Sequence, residues 1–150
     1  MKCAPTQCSI KRILVAVDGS ENSLRAVEKS IEMALSFGAS VVLLHVVSPS
    51  DPKYYSGKGK EPSCEEAEKG NSKLCEAIKM LEASRVLFDP MVVTGNPAEA
   101  ILSEAEGEGD DGYDLIILGS KGDSGGQRFL FGSVAQKVTQ HSRVPVLVVP

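Results

Sequence analysis

Two continuous apolar runs near the start of the chain predict buried β-strands. The first, RILVAVD, spans residues 12–18, and the second, SVVLLHVV, spans residues 40–47. Between them, Ser20 and Gly38 stand where an N-cap and a C-terminal glycine of a helix are expected. The apolar stripe of this helix, with three- and four-residue spacing, consists of Leu24, Val27, Ile31 and Leu35. A strand, a helix and a strand in this order form a right-handed βαβ unit.

The alternation of helix and strand continues after a segment rich in Pro, Gly, Ser and Lys at residues 48–62. Ser63 and Glu66 have the spacing of a capping box, which predicts a second helix that extends towards Ser84. The run VLFDPMVVT at residues 86–94 predicts a third strand. Its Pro90 favours an edge position or a bulge, because proline cannot donate to a strand ladder.

The last part of the chain predicts two more helices and two more strands. Asn96 caps a short third helix that has Pro97 at its first position. DLIILG, residues 114–119, predicts a fourth strand, Ser133 stands at the cap position of a fourth helix, and VPVLVV, residues 144–149, predicts the last strand. Five strands that alternate with four helices predict an α/β fold with a parallel, doubly wound sheet.

Composition limits the partners of such a domain. The chain has 150 residues, 42% hydrophobic and 24% charged, which suits a single domain over residues 11–150 after a disordered tail at residues 1–10. The net charge of −4 disfavours binding to nucleic acid or to an anionic membrane. The N-terminus has no apolar signal segment, so we expect a soluble, cytoplasmic protein. The spacing of Cys3, Cys8, Cys64 and Cys75 does not match a zinc site.

A glycine-rich segment follows the fourth strand and is the strongest candidate for binding. GSKGDSGGQRFLFGSV, residues 119–134, holds five glycines and ends at the start of a predicted helix. Unpaired N–H groups at a helix N-terminus can hold phosphate, and Lys121 can add a positive charge. Ligands of open parallel sheets sit beyond the carboxyl ends of the strands, which also brings in residues 16–18 and residues 45–47. Tight turning alone is the structural alternative for such a loop.

Two other glycine patterns are weaker. The GxGxxG at residues 107–112 follows a helix and precedes a strand, the reverse of a dinucleotide fingerprint, and three acidic residues within it would repel pyrophosphate. SGKGK at residues 56–60 lacks the first glycine of a P-loop. Its Lys58 and Lys60 either swing over a phosphate or belong to a solvated linker, and the linker is favoured.

On these residues the chain resembles the universal stress protein family. The nucleotide-binding subgroup of that family carries the motif G-x2-G-x9-G-[ST], which Gly119, Gly122, Gly132 and Ser133 match at every fixed position. The segments RILVAVDGSENS, LLHVV, GNPAEAIL and VPVLVV are similar to the same family. The resemblance runs from about Lys11 to Pro150.

The resemblance implies a Rossmann-like fold with strand order 3-2-1-4-5, ATP with Mg²⁺ at the carboxyl edge, and homodimers that pair through the last strand. It implies an ATP-binding regulatory protein in stress adaptation, with a regulatory protein partner that the sequence does not identify. The binding residues that it implies are Ala16, Val17, Asp18, Val46, Gly119, Ser120, Lys121, Gly122, Gly132, Ser133 and Val134. Ala135 departs from the threonine of some ATP-binding members, and Asp123 either repels a phosphate or binds a bridging metal.

Two alternatives to the regulatory function stay open. The first is a slow ATPase or phosphotransfer enzyme, although the first loop reads DGSENS and lacks the SGGxDS with which related enzymes grip pyrophosphate. His45 and His141 are weak candidates for a catalytic base, because neither has a visible partner nucleophile. We predict neither catalytic residues nor protein ligands to a metal. The second alternative is a nucleotide-free, dimeric interaction domain.

Overall fold

Five parallel strands and four helices alternate along the described part of the chain. They are seen in a computed structural model that describes residues 10–47, 72–107, 112–121 and 131–150. The strands are β1 (Arg12–Val17), β2 (Ser40–Val47), β3 (Phe88–Thr94), β4 (Leu115–Gly119) and β5 (Val146–Val149). The helices are α1 (Glu21–Phe37), α2 (Ser72–Ala83), α3 (Pro97–Glu106) and α4 (Ser133–His141).

The strands form one sheet with the order β3-β2-β1-β4-β5, and every neighbouring pair is parallel. In the centre, Val15 of β1 stands opposite Leu43 of β2 and Ile117 of β4. The strand order therefore reverses between β1 and β4, because the chain passes from β3 on one side of β1 to β4 on the other side. The predicted fold class and strand order are confirmed, and Pro90 lies on edge strand β3 as its missing N–H requires.

Alternate residues of the central strands enter two hydrophobic cores, one on each face of the sheet. On β1, Ile13 and Val15 face the core that α1 and α2 cover, whereas Leu14 faces the core that α3 and α4 cover. All three side chains are fully buried. Because both faces are covered, the strands read as continuous apolar runs rather than alternating ones. None of the helices in the described ranges is long and apolar enough to cross a membrane.

The helix ends follow the predicted capping residues. The Ser20 hydroxyl accepts a hydrogen bond from the Ser23 N–H at 3.2 Å, and Gly38 ends α1 in the left-handed conformation with φ of 68°. The Asn96 side chain accepts from the Glu99 N–H at 3.2 Å and caps α3. Each cap satisfies a backbone group that the helix itself leaves without a partner.

The predicted apolar stripe of α1 is wrong in part. Leu35 is 58% exposed, whereas the face that meets the sheet is made of small residues. The buried residues of α1 are Ser23, Ala26, Val27, Ser30 and Ala34. Leu24 and Ile31 pack only partly buried at the side of the core. Small side chains let the helix backbone lie close to β1 and β4, so the leucines are displaced to the flanks.

Several predictions fall outside the described residues. They concern the tail at residues 1–9, the segment at residues 48–62 with its two lysines, the capping box at Ser63 and the acidic turn at residues 108–111. Cys3, Cys8, Cys64, Gly122, Asp123 and the remainder of the glycine-rich segment to residue 130 also lie outside them. Ile10 is described and packs partly buried against the first core, while Cys75 is buried in that core.

Candidate nucleotide site

A cavity of about 520 Å³ opens at the carboxyl edge of the sheet, on the face that α3 and α4 cover. It lies where β1, β2 and β4 end and where the strand order reverses, which is the general ligand position in open parallel sheets. Every predicted binding residue that the structure describes lines this cavity. These residues are Ala16, Val17, Asp18, Val46, Gly119, Ser120, Lys121, Gly132, Ser133 and Val134.

The cavity also has lining residues that the sequence did not indicate, and all but one of them are apolar. The additional lining residues are Ser23, Leu44, Pro97, Ile101, Leu118 and Ala135. Leu44 and Leu118 stand two positions before Val46 and Ser120, so period-two alternation along each strand could have identified them. Pro97 and Ile101 come from α3, and only the packing of α3 beside α4 shows that they reach the cavity.

The outer part of the cavity carries charges of both signs. The exposed Asp18 follows β1, and its carboxylate accepts a hydrogen bond from the Ser20 N–H at 2.8 Å. The half-buried Lys121 follows β4, and its backbone carbonyl accepts from the Ser20 hydroxyl at 3.5 Å. The turn before α1 thus holds both charged residues beside the same opening. Among the described residues, the charged side chains that line this opening are one carboxylate and one ammonium group.

The N-terminus of α4 points its first turn at the cavity without a side-chain cap. The helix begins at Ser133, and its N-cap is Gly132, so the prediction that Ser133 is the cap was wrong by one residue. Gly132 has φ of −59° and ψ of 160°, close to the −70° and 159° of Ser20 at the start of α1. This conformation does not need glycine. The missing side chain leaves the first-turn amides, which have no acceptor within the helix, open towards the cavity.

A model of the universal stress protein family matches residues 9–150 of the chain. The chain belongs to the universal stress protein family. Universal stress protein MJ0531 of Methanocaldococcus jannaschii is 35% identical over 141 residues, which cover 93% of this chain and 81% of that protein. Among solved structures, MJ0577 of the same organism is 31% identical, with a TM-score of 0.73 and coverage of 94% of this chain and 96% of the other.

A second solved relative was determined with a ligand. It is a universal stress protein in complex with cAMP, 25% identical to this chain, with a TM-score of 0.68. The match covers 94% of this chain and 97% of that one. Both solved relatives share the fold of this universal stress protein over nearly the whole chain.

Ser120 holds three elements together at the mouth of the cavity in this universal stress protein. Its N–H donates to the Val149 carbonyl at 2.8 Å, and its carbonyl accepts from the Gly132 N–H at 2.7 Å. Its hydroxyl accepts from the Asn22 side-chain amide at 3.4 Å. Ser120 is only 9% exposed. The start of the glycine-rich segment is therefore attached to β5, to the N-cap of α4 and to the first turn of α1.

Gly119, the first glycine of the motif, is required by packing of the protein against itself. A Cβ atom at this position would lie 2.9 Å from the carbonyl carbon and the Cβ of Asn22, and 3.0 Å from the backbone nitrogen of Ser23. Real Cβ contacts are longer than this, so only glycine lets β4 and α1 approach so closely. The fold therefore requires glycine at this position whether or not a ligand binds.

The two histidines do not line the cavity. His45 is buried on the opposite face of β2, and its Nδ1 lies 2.8 Å from the Val17 carbonyl oxygen. Because a carbonyl can only accept, Nδ1 carries the proton in this contact. His141 is exposed at the last position of α4. Among the described residues, no cluster of three His, Cys, Asp or Glu side chains is arranged to hold a metal ion.

Proposed function

We propose that this universal stress protein binds an adenine nucleotide, ATP with Mg²⁺, in the cavity at the carboxyl edge and acts as a nucleotide-dependent regulatory module in stress adaptation. The observation that carries the proposal is the uncapped N-terminus of α4 at one side of a cavity with an apolar interior. A volume of about 520 Å³ lies within the range of small-molecule sites.

In this proposal the adenine ring enters the apolar part of the cavity. Leu44, Leu118 and Ala135 are almost completely buried and form the apolar wall of that part, while Val46 offers its backbone to the polar edge of the base. Asp18 stands at the outer rim beside the ribose. The cAMP complex of a relative supports this choice of ligand, because cAMP is itself an adenine nucleotide.

The phosphates would extend from the ribose to the first turn of α4. The amides of Ser133, Val134 and Ala135 have no intrahelical acceptors, and the positive end of the helix dipole favours an anion. Lys121 adds a positive charge at the same opening. Mg²⁺ commonly takes phosphate oxygens, water and one or two carboxylates, and Asp18 is the carboxylate among the described lining residues.

A regulatory function fits the described lining residues better than catalysis. They include one carboxylate and one ammonium group, and no histidine or cysteine that could serve as a base or nucleophile lines this part of the site. The proposal includes a homodimer that pairs through β5. That strand is at the edge of the sheet, where parallel strands expose unpaired backbone groups. Sedimentation analysis that finds only monomers at micromolar concentration would reject the dimer.

The first experiment identifies the natural ligand and measures its affinity. Freshly purified protein is heat-denatured, any released nucleotide is identified by mass spectrometry, and ligand-free protein is titrated calorimetrically with ATP and Mg²⁺. Released adenylate or saturable ATP binding supports the proposal. If the protein releases no nucleotide and binds neither ATP, AMP nor cAMP, the proposal is rejected in favour of a nucleotide-free interaction domain.

Substitution of Gly132 then tests where the phosphates bind. Gly132→Asp places a carboxylate where it caps the first-turn amides and repels phosphate, so we expect ATP affinity to fall at least about tenfold. Gly132→Asn caps the same amides without charge and should cause a smaller loss. Neither variant should unfold the protein, because both residues are preferred N-caps and the backbone conformation is ordinary.

Asn96→Asp is the matched control, because it adds the same charge at the already capped N-terminus of the neighbouring helix α3. We expect it to change ATP affinity less than about threefold, since Asn96 is exposed to screening solvent and its side chain already accepts from the Glu99 N–H. If Gly132→Asp binds ATP as tightly as the wild type, the phosphates do not bind at α4.

A further inference from the structure

A chain of three hydrogen bonds leads from the cavity to Pro150, the residue that follows β5. The Asn22 side-chain amide donates to the Ser120 hydroxyl at 3.4 Å, and the Arg25 guanidinium donates to the Asn22 amide oxygen. Arg25 Nε then donates to the Pro150 backbone oxygen at 2.8 Å. We refer to these contacts as the Ser120–Pro150 chain. A direct hydrogen bond from the Ser120 N–H to the Val149 carbonyl also connects Ser120 with β5.

The chemistry of the groups fixes the direction of these bonds. A guanidinium can only donate, so the amide oxygen of Asn22 must face Arg25 and the NH₂ group must face Ser120. The Ser120 hydroxyl therefore accepts from Asn22, which leaves its own proton to donate to an acceptor in the cavity that it lines. A ligand oxygen bound to that hydroxyl polarises it and strengthens its bond with Asn22.

We infer that Asn22 and Arg25 are positioning residues of the proposed nucleotide site, and that the Ser120–Pro150 chain couples nucleotide binding to the carboxyl end of β5. The inference rests on the proposed function for its ligand. Such coupling is reciprocal. If bound nucleotide stabilises the hydrogen bonds at the end of β5, then formation of these bonds must raise the affinity for nucleotide by the same factor. Neither Asn22 nor Arg25 was singled out by the sequence interpretation.

The exposure of Arg25 to solvent distinguishes a positioning role from a role in the stability of the fold. Arg25 is exposed and Asn22 is half-buried, and hydrogen bonds at such exposed sites add little to the stability of a fold. The two residues lie three positions apart on one helix, which places their side chains on the same face. One side chain thus connects the first turn of α1 with the strand at the edge of the sheet.

The test uses substitutions of Arg25 in the full chain. Arg25→Met keeps the aliphatic stem and removes every donor, whereas Arg25→Lys keeps the charge but loses the fork that reaches two acceptors at once. Lys29→Met is the matched control, because it removes a cation one turn further along α1 whose bond goes to Glu32 instead. The measurements are ATP affinity with Mg²⁺ and hydrogen exchange of the Ser120 and Val149 amides, with and without ATP.

We expect ATP to slow hydrogen exchange of the Val149 amide in the wild type and in Lys29→Met. In both Arg25 variants, ATP should no longer slow this exchange. ATP affinity should fall about two- to fivefold in Arg25→Met, the size typical of a lost hydrogen bond. A merely structural role would change exchange equally with and without ATP. If ATP binds but leaves Val149 exchange unchanged in the wild type, or still slows it in Arg25→Met, the coupling is refuted.

Exchange in the absence of ligand distinguishes this inference from the proposed function. Removal of the Arg25 donors should speed hydrogen exchange of the Ser120 amide even when no nucleotide is present. The reason is that the Ser120–Pro150 chain restrains Ser120 through its bond with Asn22. Unchanged Ser120 exchange in ligand-free Arg25→Met refutes the connection itself, whatever the protein binds. Faster Ser120 exchange in a protein that does not bind ATP supports the connection and rejects only the proposed ligand.

Discussion

Substitution of Gly119 by alanine adds one methyl group at the point where β4 meets α1. The new Cβ would lie 2.9 Å from two carbon atoms of Asn22 and 3.0 Å from the Ser23 nitrogen. Two of these atoms are backbone and the third is a Cβ, so none can rotate away as the end of a long side chain could. The first turn of α1 must therefore move away from β4.

The size of the effect follows from the contact distances. Carbon atoms pack at about 3.5–4.0 Å, so the helix must shift by roughly half an ångström or more to accept the methyl group. Overpacking of this kind costs about 1–3 kcal/mol. Gly119 does not have a positive φ, so alanine recovers about 0.4–1 kcal/mol through lower entropy of the unfolded chain. We expect a net loss of up to about 2.6 kcal/mol, and about 1.3 kcal/mol at the middle of both ranges.

Urea denaturation followed by circular dichroism measures this loss, with Gly112→Ala as the matched control. A Cβ at Gly112 would meet nothing closer than the Glu106 carbonyl oxygen at 3.5 Å, which is ordinary contact. Gly112→Ala should therefore be neutral or stabilise the fold by up to about 1 kcal/mol. If the two variants prove equally stable, the steric explanation of Gly119 is wrong.

Two further predictions concern residues away from the cavity. Burial and the 2.8 Å hydrogen bond to Glu104 raise the pKa of Tyr113 well above 10.0, so the folded protein keeps a proton that the unfolded chain releases. Stability should therefore fall as pH rises past about 10, by up to about 1.4 kcal/mol per pH unit, and urea titrations should show a shallower fall in Tyr113→Phe. Leu35→Ala should change the free energy of unfolding by less than about 0.5 kcal/mol because Leu35 is exposed, whereas Leu81→Ala should cost about 2–5 kcal/mol because Leu81 is fully buried. Equal losses in the two leucine variants would contradict the packing of α1 and α2 described above.

The order of strands and helices could be predicted because both faces of the sheet are covered. Such strands are continuous apolar runs, and these stand out from the helical stripes and turn residues between them. Caps at Ser20, Gly38 and Asn96 were equally visible, since each uses a residue type with a local physical role. The strand order itself came from the family resemblance, and the structure confirms it.

The buried face of α1 could not be predicted from the spacing of its large residues. Hydrophobic periodicity favours leucine and isoleucine as core positions, but here the close approach at Gly119 selects serine and alanine for the face against the sheet. That selection depends on a contact between residues almost a hundred positions apart. For the same reason the contribution of α3 to the cavity, through Pro97 and Ile101, appears only after the helices are packed.

The glycines at the two ends of the segment have different physical reasons, although one motif contains both. Gly119 is needed because a Cβ would collide with α1, so its replacement should reduce stability first. Gly132 has a conformation that any residue can adopt, and a serine in nearly the same conformation caps α1. The backbone at Gly132 therefore does not require glycine, and we expect a polar side chain there to cap the α4 amides. Loss of ATP affinity in Gly132→Asn without loss of stability, together with loss of stability in Gly119→Ala, would show that the first glycine serves the fold and the last serves the ligand.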